Sequence, residues 1–172
     1  RDGRGLLMMP SSNYVDGNLD MVRLMIADPN TIIALGDGGA HYSLICDSSF
    51  PTFMLTHWVR DRAEGRLPLA WAVRQLSYEP ARTVGLDDRG LLKPGYKADL
   101  NVIDPETLEL PAPTIVYDLP AGGRRLVQHA RGYDLTMVSG TITYRDGEAT
   151  GALPGRLVRG AQGAPAEERA AA

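Results

Sequence analysis

One stretch limits the fold more than any other. The apolar run Thr31-Ile32-Ile33-Ala34-Leu35 is β-branched at its start and is cut off abruptly by Gly36-Asp37-Gly38-Gly39. A short continuous apolar run of this kind reads as a strand buried on both faces, the type found in parallel sheets. Upstream, Leu19, Val22, Met25 and Ile26 recur at helical spacing. Asn18 is placed as an N-cap, Asp20 puts negative charge in the first turn, and Pro29 ends the helix. Helix, strand, glycine turn is half of an α/β repeat.

Two more helices are expected. Pro51 suits a first turn, with Met54, Leu55, Trp58 and Val59 on one face and Gly65 as the stop. Pro68 opens the next, whose Leu69, Ala72, Val73 and Leu76 fit the i, i+3, i+4, i+7 pattern and which Pro80 breaks. From Gly90 the grammar changes to short strands at residues 100–103, 114–117, 135–138 and 141–144. Ser139-Gly140 is a tight hairpin, and Pro94-Gly95 and Asp146-Gly147 are turns. Residues 161–172 are mostly Ala, Gly, Pro and Glu and read as a disordered tail.

Composition excludes several function classes. A net charge of -3 offers no basic excess for a phosphate backbone, so nucleic acid is not an expected partner. No apolar run approaches the ~20 residues that span a bilayer, and no membrane partner is expected. The single cysteine, Cys46, forms no internal disulfide, which fits a reducing, cytoplasmic compartment. The chain opens on Arg1-Asp2-Gly3 rather than methionine, as a piece of a longer protein would.

Asp37 is the leading catalytic candidate. Active sites in α/β sheets and barrels collect at the carboxyl ends of strands, and the flanking glycines leave this carboxylate unobstructed. The alternative is an aspartate that only closes a turn. His41 is a substrate-binding candidate, or an ordinary loop histidine. His57 reads as a packed or solvated helix residue, and His129 has no companion at ligand spacing. Neither His-x-His, HExxH nor Cys-x-x-Cys occurs. Cys46 reads as a buried structural thiol. Arg124-Arg125 is either an anion site or a solvated pair.

Gly36-Asp37-Gly38-Gly39-Ala40-His41 and then Cys46-Asp47-Ser48-Ser49-Phe50-Pro51-Thr52 resemble the strand-eight region of the N-acyl-D-amino-acid deacylases, in the amidohydrolase superfamily. Pro80-Ala81-Arg82, Gly85-Leu86, Asp88-Arg89-Gly90, Pro94-Gly95 and Ala98-Asp99-Leu100-Asn101-Val102 resemble that superfamily's return from barrel to β-sandwich. Asp118-Leu119-Pro120-Ala121-Gly122-Gly123, Ser139-Gly140 and Gly155-Arg156-Leu157 continue the pattern.

The resemblance implies an α/β fold. Residues 1–88 would be the last strand and helices of a metal-dependent-hydrolase (β/α)8 barrel, and residues 89–160 part of a small β-sandwich. It implies a zinc-dependent hydrolase of amide C–N bonds acting on a small N-acyl amino acid or related amide. Asp37 would be both proton carrier and metal ligand, and most other zinc ligands would lie outside this chain. Two departures stand out. The family's His-x-His pair is missing, and Ser43-Leu44-Ile45-Cys46 has no arginine to hold a substrate carboxylate. A related cyclic-amide hydrolase and a non-catalytic β-sandwich assembly module are the alternatives. By itself the chain is expected to be inactive. Unpaired strand edges should make it self-associate, possible homo-oligomers included; a monodisperse monomer in solution scattering would count against that.

Overall fold

The computed structural model describes residues 5–7, 12–35 and 39–166. They belong to two units, Arg1–Ile33 and Ala34–Ala172.

In the first unit, α1 spans Asp20–Ala27. The N-cap is Leu19 rather than the expected Asn18, whose side-chain oxygen nevertheless accepts the Asp20 N–H at 2.9 Å from one residue earlier. Asp28, before Pro29, is extended (φ -67°, ψ 131°) and cannot continue the helix. The Thr31 hydroxyl donates to the Met25 and Asp28 carbonyls at 2.8 and 2.9 Å, satisfying acceptors the helix end leaves open. The buried strand expected at residues 31–35 is not formed. A strand exists only by pairing, and among the described residues no segment pairs with this run; Ile32 is accordingly 42% exposed.

In the second unit, a 3-10 turn (Asp47–Ser49) leads into α2 (Phe50–Phe53), with Pro51 in its first turn. The helix does not stay α. It widens into a π-helix, Met54–Asp61, and ends before Gly65. The Arg62 N–H reaches back five residues to the His57 carbonyl at 3.1 Å. Met54 and Trp58 are buried on this segment, and Leu67, Ala72, Ala81 and Leu108 complete the core. The Arg62 guanidinium covers the Trp58 ring at 4.8 Å. Next, α3 (Leu69–Leu76) follows Pro68 and α4 spans Tyr78–Thr83. The break between them is at Ser77 (φ -131°, ψ -66°), not at Pro80. Pro80 sits in the first turn of α4, where its missing N–H costs nothing.

The sheets are antiparallel, and among the described residues there is no closed barrel. β1 (Leu100–Ile103), β4 (Tyr133–Val138), β5 (Thr141–Arg145) and β6 (Glu148–Ala149) form one sheet in that order. β2 (Thr114–Leu119) and β3 (Gly123–Val127) form a separate ribbon. Ser139 and Gly140, at φ 52° and 78°, make the expected two-residue hairpin; Asp146 and Gly147 repeat it at 51° and 82°. Where a free tail was expected, Gln162 is held. Its carbonyl accepts the Asp87 N–H at 2.7 Å, and its N–H donates to Gly85 at 2.8 Å.

Arg60 ties the π-helix to the sheet side of this unit. Its Nη1 donates to the Pro105 and Leu108 carbonyls at 2.8 and 2.7 Å. Gly132 closes on the same turn. At φ 87° it lies so near Leu108 that an added Cβ would stand 2.6 Å from the Leu108 Cα and 2.7 Å from its N. Gly140 shares the positive φ with nothing within 4 Å. Gly140→Ala is therefore expected to cost about 1–2 kcal/mol, the left-handed penalty alone. Gly132→Ala should cost clearly more, because backbone must move as well. Urea unfolding of the two variants separates these; equal losses would refute the close-approach account.

Candidate functional site

The segment after Gly38 folds back on itself. The His41 carbonyl accepts the N–H groups of Leu44 and Ile45 at 2.7 and 3.0 Å, with His41 at φ 48°. The Tyr42 carbonyl then accepts the Leu126 N–H at 2.7 Å, which fastens this loop to β3. The tyrosine hydroxyl lies 3.2 Å from where a Cβ on Gly39 would be, so glycine makes room for the ring.

Between this loop, the start of α2, and the β3–β4 region lies a cleft of about 520 Å³. Neutral polar groups bridge its walls. The Ser49 hydroxyl donates to Gln128 Oε1 at 2.6 Å, and Gln128 Nε2 donates to the Pro111 carbonyl at 2.7 Å. The Thr52 and Tyr133 hydroxyls are 2.8 Å apart, joining helix to sheet across 81 positions of sequence. These bonds use the polar groups of the walls to set the width of the cleft.

Among the described residues two charged side chains line it. Arg125, on β3, donates from Nε and Nη2 to the two carboxylate oxygens of Asp118 on β2, at 2.7 Å each. The paired fork geometry holds the Asp118 carboxyl below its usual range and pushes Arg125 up. Asp47 is the other, and it has no ion pair among the described residues. Beside it, burial and then the Asp47 charge push the Cys46 thiol up. At neutral pH it is a thiol, not an activated thiolate.

Asp37, with Gly36 and Gly38, lies outside the described residues. His41 is exposed, and Gly39 and Tyr42 on either side of it form the cleft wall. Cys46 and His129, far apart in sequence, both line the cleft. Among the described residues no three His, Cys, Asp or Glu side chains are grouped to bind a metal. Arg125, part of either an anion site or a solvated pair on sequence alone, is found paired with Asp118, whereas Gln128 and Tyr133 were not legible as site residues. Their neighbours in space come from distant segments, and no local spacing signals them. No helix among the described residues is long and apolar enough to cross a membrane.

The amidohydrolase family profile matches residues 9–144. The chain belongs to the amidohydrolase family. This amidohydrolase segment is 34% identical over 110 residues to a D-aminoacylase of Alcaligenes xylosoxydans xylosoxydans, covering 64% of the chain and 20% of that protein. It is 33% identical over 103 residues to adenine deaminase 1 of Rhizobium meliloti (strain 1021), covering 53% of the chain and 18% of that protein. The chain thus spans about a fifth of the length of these curated relatives. No solved structure matches it significantly.

His57 is not among the residues that line the cleft. Its ring stacks on Phe53 (4.7 Å, 8°) and meets Trp58 edge-on at 4.8 Å, and its Nε2 is buried without a hydrogen-bond partner. Burial first, then the Arg62 charge, lower its pKa; Asp61 opposes them. A histidine whose pKa is lower when folded binds its proton more readily when unfolded. Its contribution is complete above the unfolded value of about 6.5 and is lost as pH falls toward the folded value. Urea midpoints at successive pH values below neutrality should fall more steeply for the native chain than for His57→Phe. Parallel curves would show that His57 is not the group responsible.

Proposed function

We propose that the full-length protein containing this chain hydrolyses a C–N bond in an acylated amine, in the manner of a D-aminoacylase, with Asp37 as its proton-transfer group. The observation that carries this reading is the identity with the D-aminoacylase over 110 residues, together with the family match across the Gly36-Asp37-Gly38-Gly39 segment. The name of the other relative denotes removal of an amino group from adenine. Cleavage of a C–N bond is what the two names share.

In this reading the Asp37 carboxylate takes a proton from the attacking water and gives it to the departing amine. Such transfer is typically worth ~10²–10⁴ in rate. The substrate is a small N-acyl amino acid or a related amide, and His41, four residues on, is a candidate contact to it. Zinc belongs to the reading as a group held by residues other than the described ones, which supply no ligand set of their own. Proton transfer at Asp37 is the chemistry assigned to this chain.

Asp37→Asn keeps the size and shape of the side chain and removes the base. In the full-length enzyme it should lower kcat by about 10²-fold or more, with an unchanged circular dichroism spectrum and unfolding midpoint. Turnover retained within a few-fold of wild type would remove Asp37 from the mechanism.

A further inference from the structure

Residues 84–99 carry the chain from α4 to β1 without helix or strand, apart from a single bridge at Leu86. Asp87 is gripped there by two segments. Arg82, on α4, forms an ion pair with its carboxylate at 2.7 Å and donates from Nη2 to its carbonyl at 2.8 Å. The Asp87 N–H donates to the Gln162 carbonyl at 2.7 Å, and the Gln162 N–H donates to the Gly85 carbonyl at 2.8 Å. Two glycines let residues 161–165 lie close. A Cβ on Gly85 would stand 3.2 Å from the Ala161 Cβ, and one on Gly95 3.2 Å from the Pro165 Cβ. Gly90, between them, is packed on the α3–α4 junction, where a Cβ would stand 3.0 Å from the Ser77 carbonyl oxygen and from the Tyr78 Cα. The sheet end of the connector is fixed separately: the Gly140 N–H donates to the Ala98 carbonyl at 2.9 Å, and the Ser139 N–H to Asp99 Oδ1 at 2.7 Å.

The grip of residues 161–165 is light. The segment is Ala-Gln-Gly-Ala-Pro, with no large apolar side chain to anchor it. The Gln162 side-chain amide donates to the Gly160 and Ala161 carbonyls at 3.3 and 3.1 Å, beside it in sequence, and adds no tie to the connector. A contact made of two backbone bonds and small side chains opens more readily than a paired strand such as β4 against β5.

We infer that residues 161–165 are a releasable strap over the helix-to-sheet connector. Docked, they hold residues 84–99 rigid; on local opening they free the connector without unfolding the sheet. The device is independent of the hydrolase reading.

The test uses the full-length protein, with trypsin cleavage at Arg89–Gly90 and amide exchange read peptide by peptide in mass spectrometry. Gln162→Pro removes the N–H that reaches Gly85. It should speed that cleavage and the exchange of residues 85–88 by about tenfold, the loss of one hydrogen bond, while exchange in β4 and β5 stays unchanged. Gln162→Ala keeps both backbone bonds and should match wild type. Pro165→Gly, a milder change that takes away the ring resting on Gly95, should raise both rates by a few-fold. Rates within twofold of wild type in both Gln162→Pro and Pro165→Gly would overturn the strap. So would equal acceleration in β4 and β5, because the segment would then belong to the core and could not release by itself.

Discussion

The hydrogen bond from the Leu126 N–H to the Tyr42 carbonyl joins two parts of the chain that nothing local would bring together. One partner is in a turn just after the glycine-rich segment, and the other is in the middle of β3. Without it, the loop that follows Asp37 would have no fixed relation to the ribbon. The Ser49–Gln128 and Thr52–Tyr133 bonds carry the same seam into the start of α2 and β4. Polar side chains in such a seam are costly if left unpaired, so their mutual satisfaction makes one arrangement much better than its neighbours.

The π-helical widening after Phe53 works with this seam. A wider turn changes which side chains share a face, and Met54 and Trp58 both reach the interior. Leu67 closes onto the Trp58 carbonyl, and Arg60 extends to the Pro105 and Leu108 carbonyls. The close approach of Gly132 to Leu108 then fixes the path into β4. Core and cleft are two faces of one set of contacts.

Family membership and geometry speak to different levels of function. The family match covers the Gly36-Asp37-Gly38-Gly39 segment and shows the amidohydrolase family, and C–N bond chemistry is the proposal built on it. The Arg125–Asp118 pair stands on the ribbon, remote in sequence from the Gly36-Asp37-Gly38-Gly39 segment.

The local grammar of this chain was readable. Pro29 ends α1, Pro68 precedes α3, and β1, β4 and β5 lie close to the expected ranges. The Ser139-Gly140 hairpin followed from φ alone. These features depend on sterics and hydrogen bonding within a few residues, which sequence encodes directly. Residues 31–35 show where that reasoning stops. Their composition suits a buried strand, but a strand needs a partner, and pairing is not a local property. The same limit hid the π-helix, the role of Arg125 and the docking of Gln162 against Gly85 and Asp87. Each is decided by a group distant in sequence or by how the helix packs, so only the tertiary structure could select it.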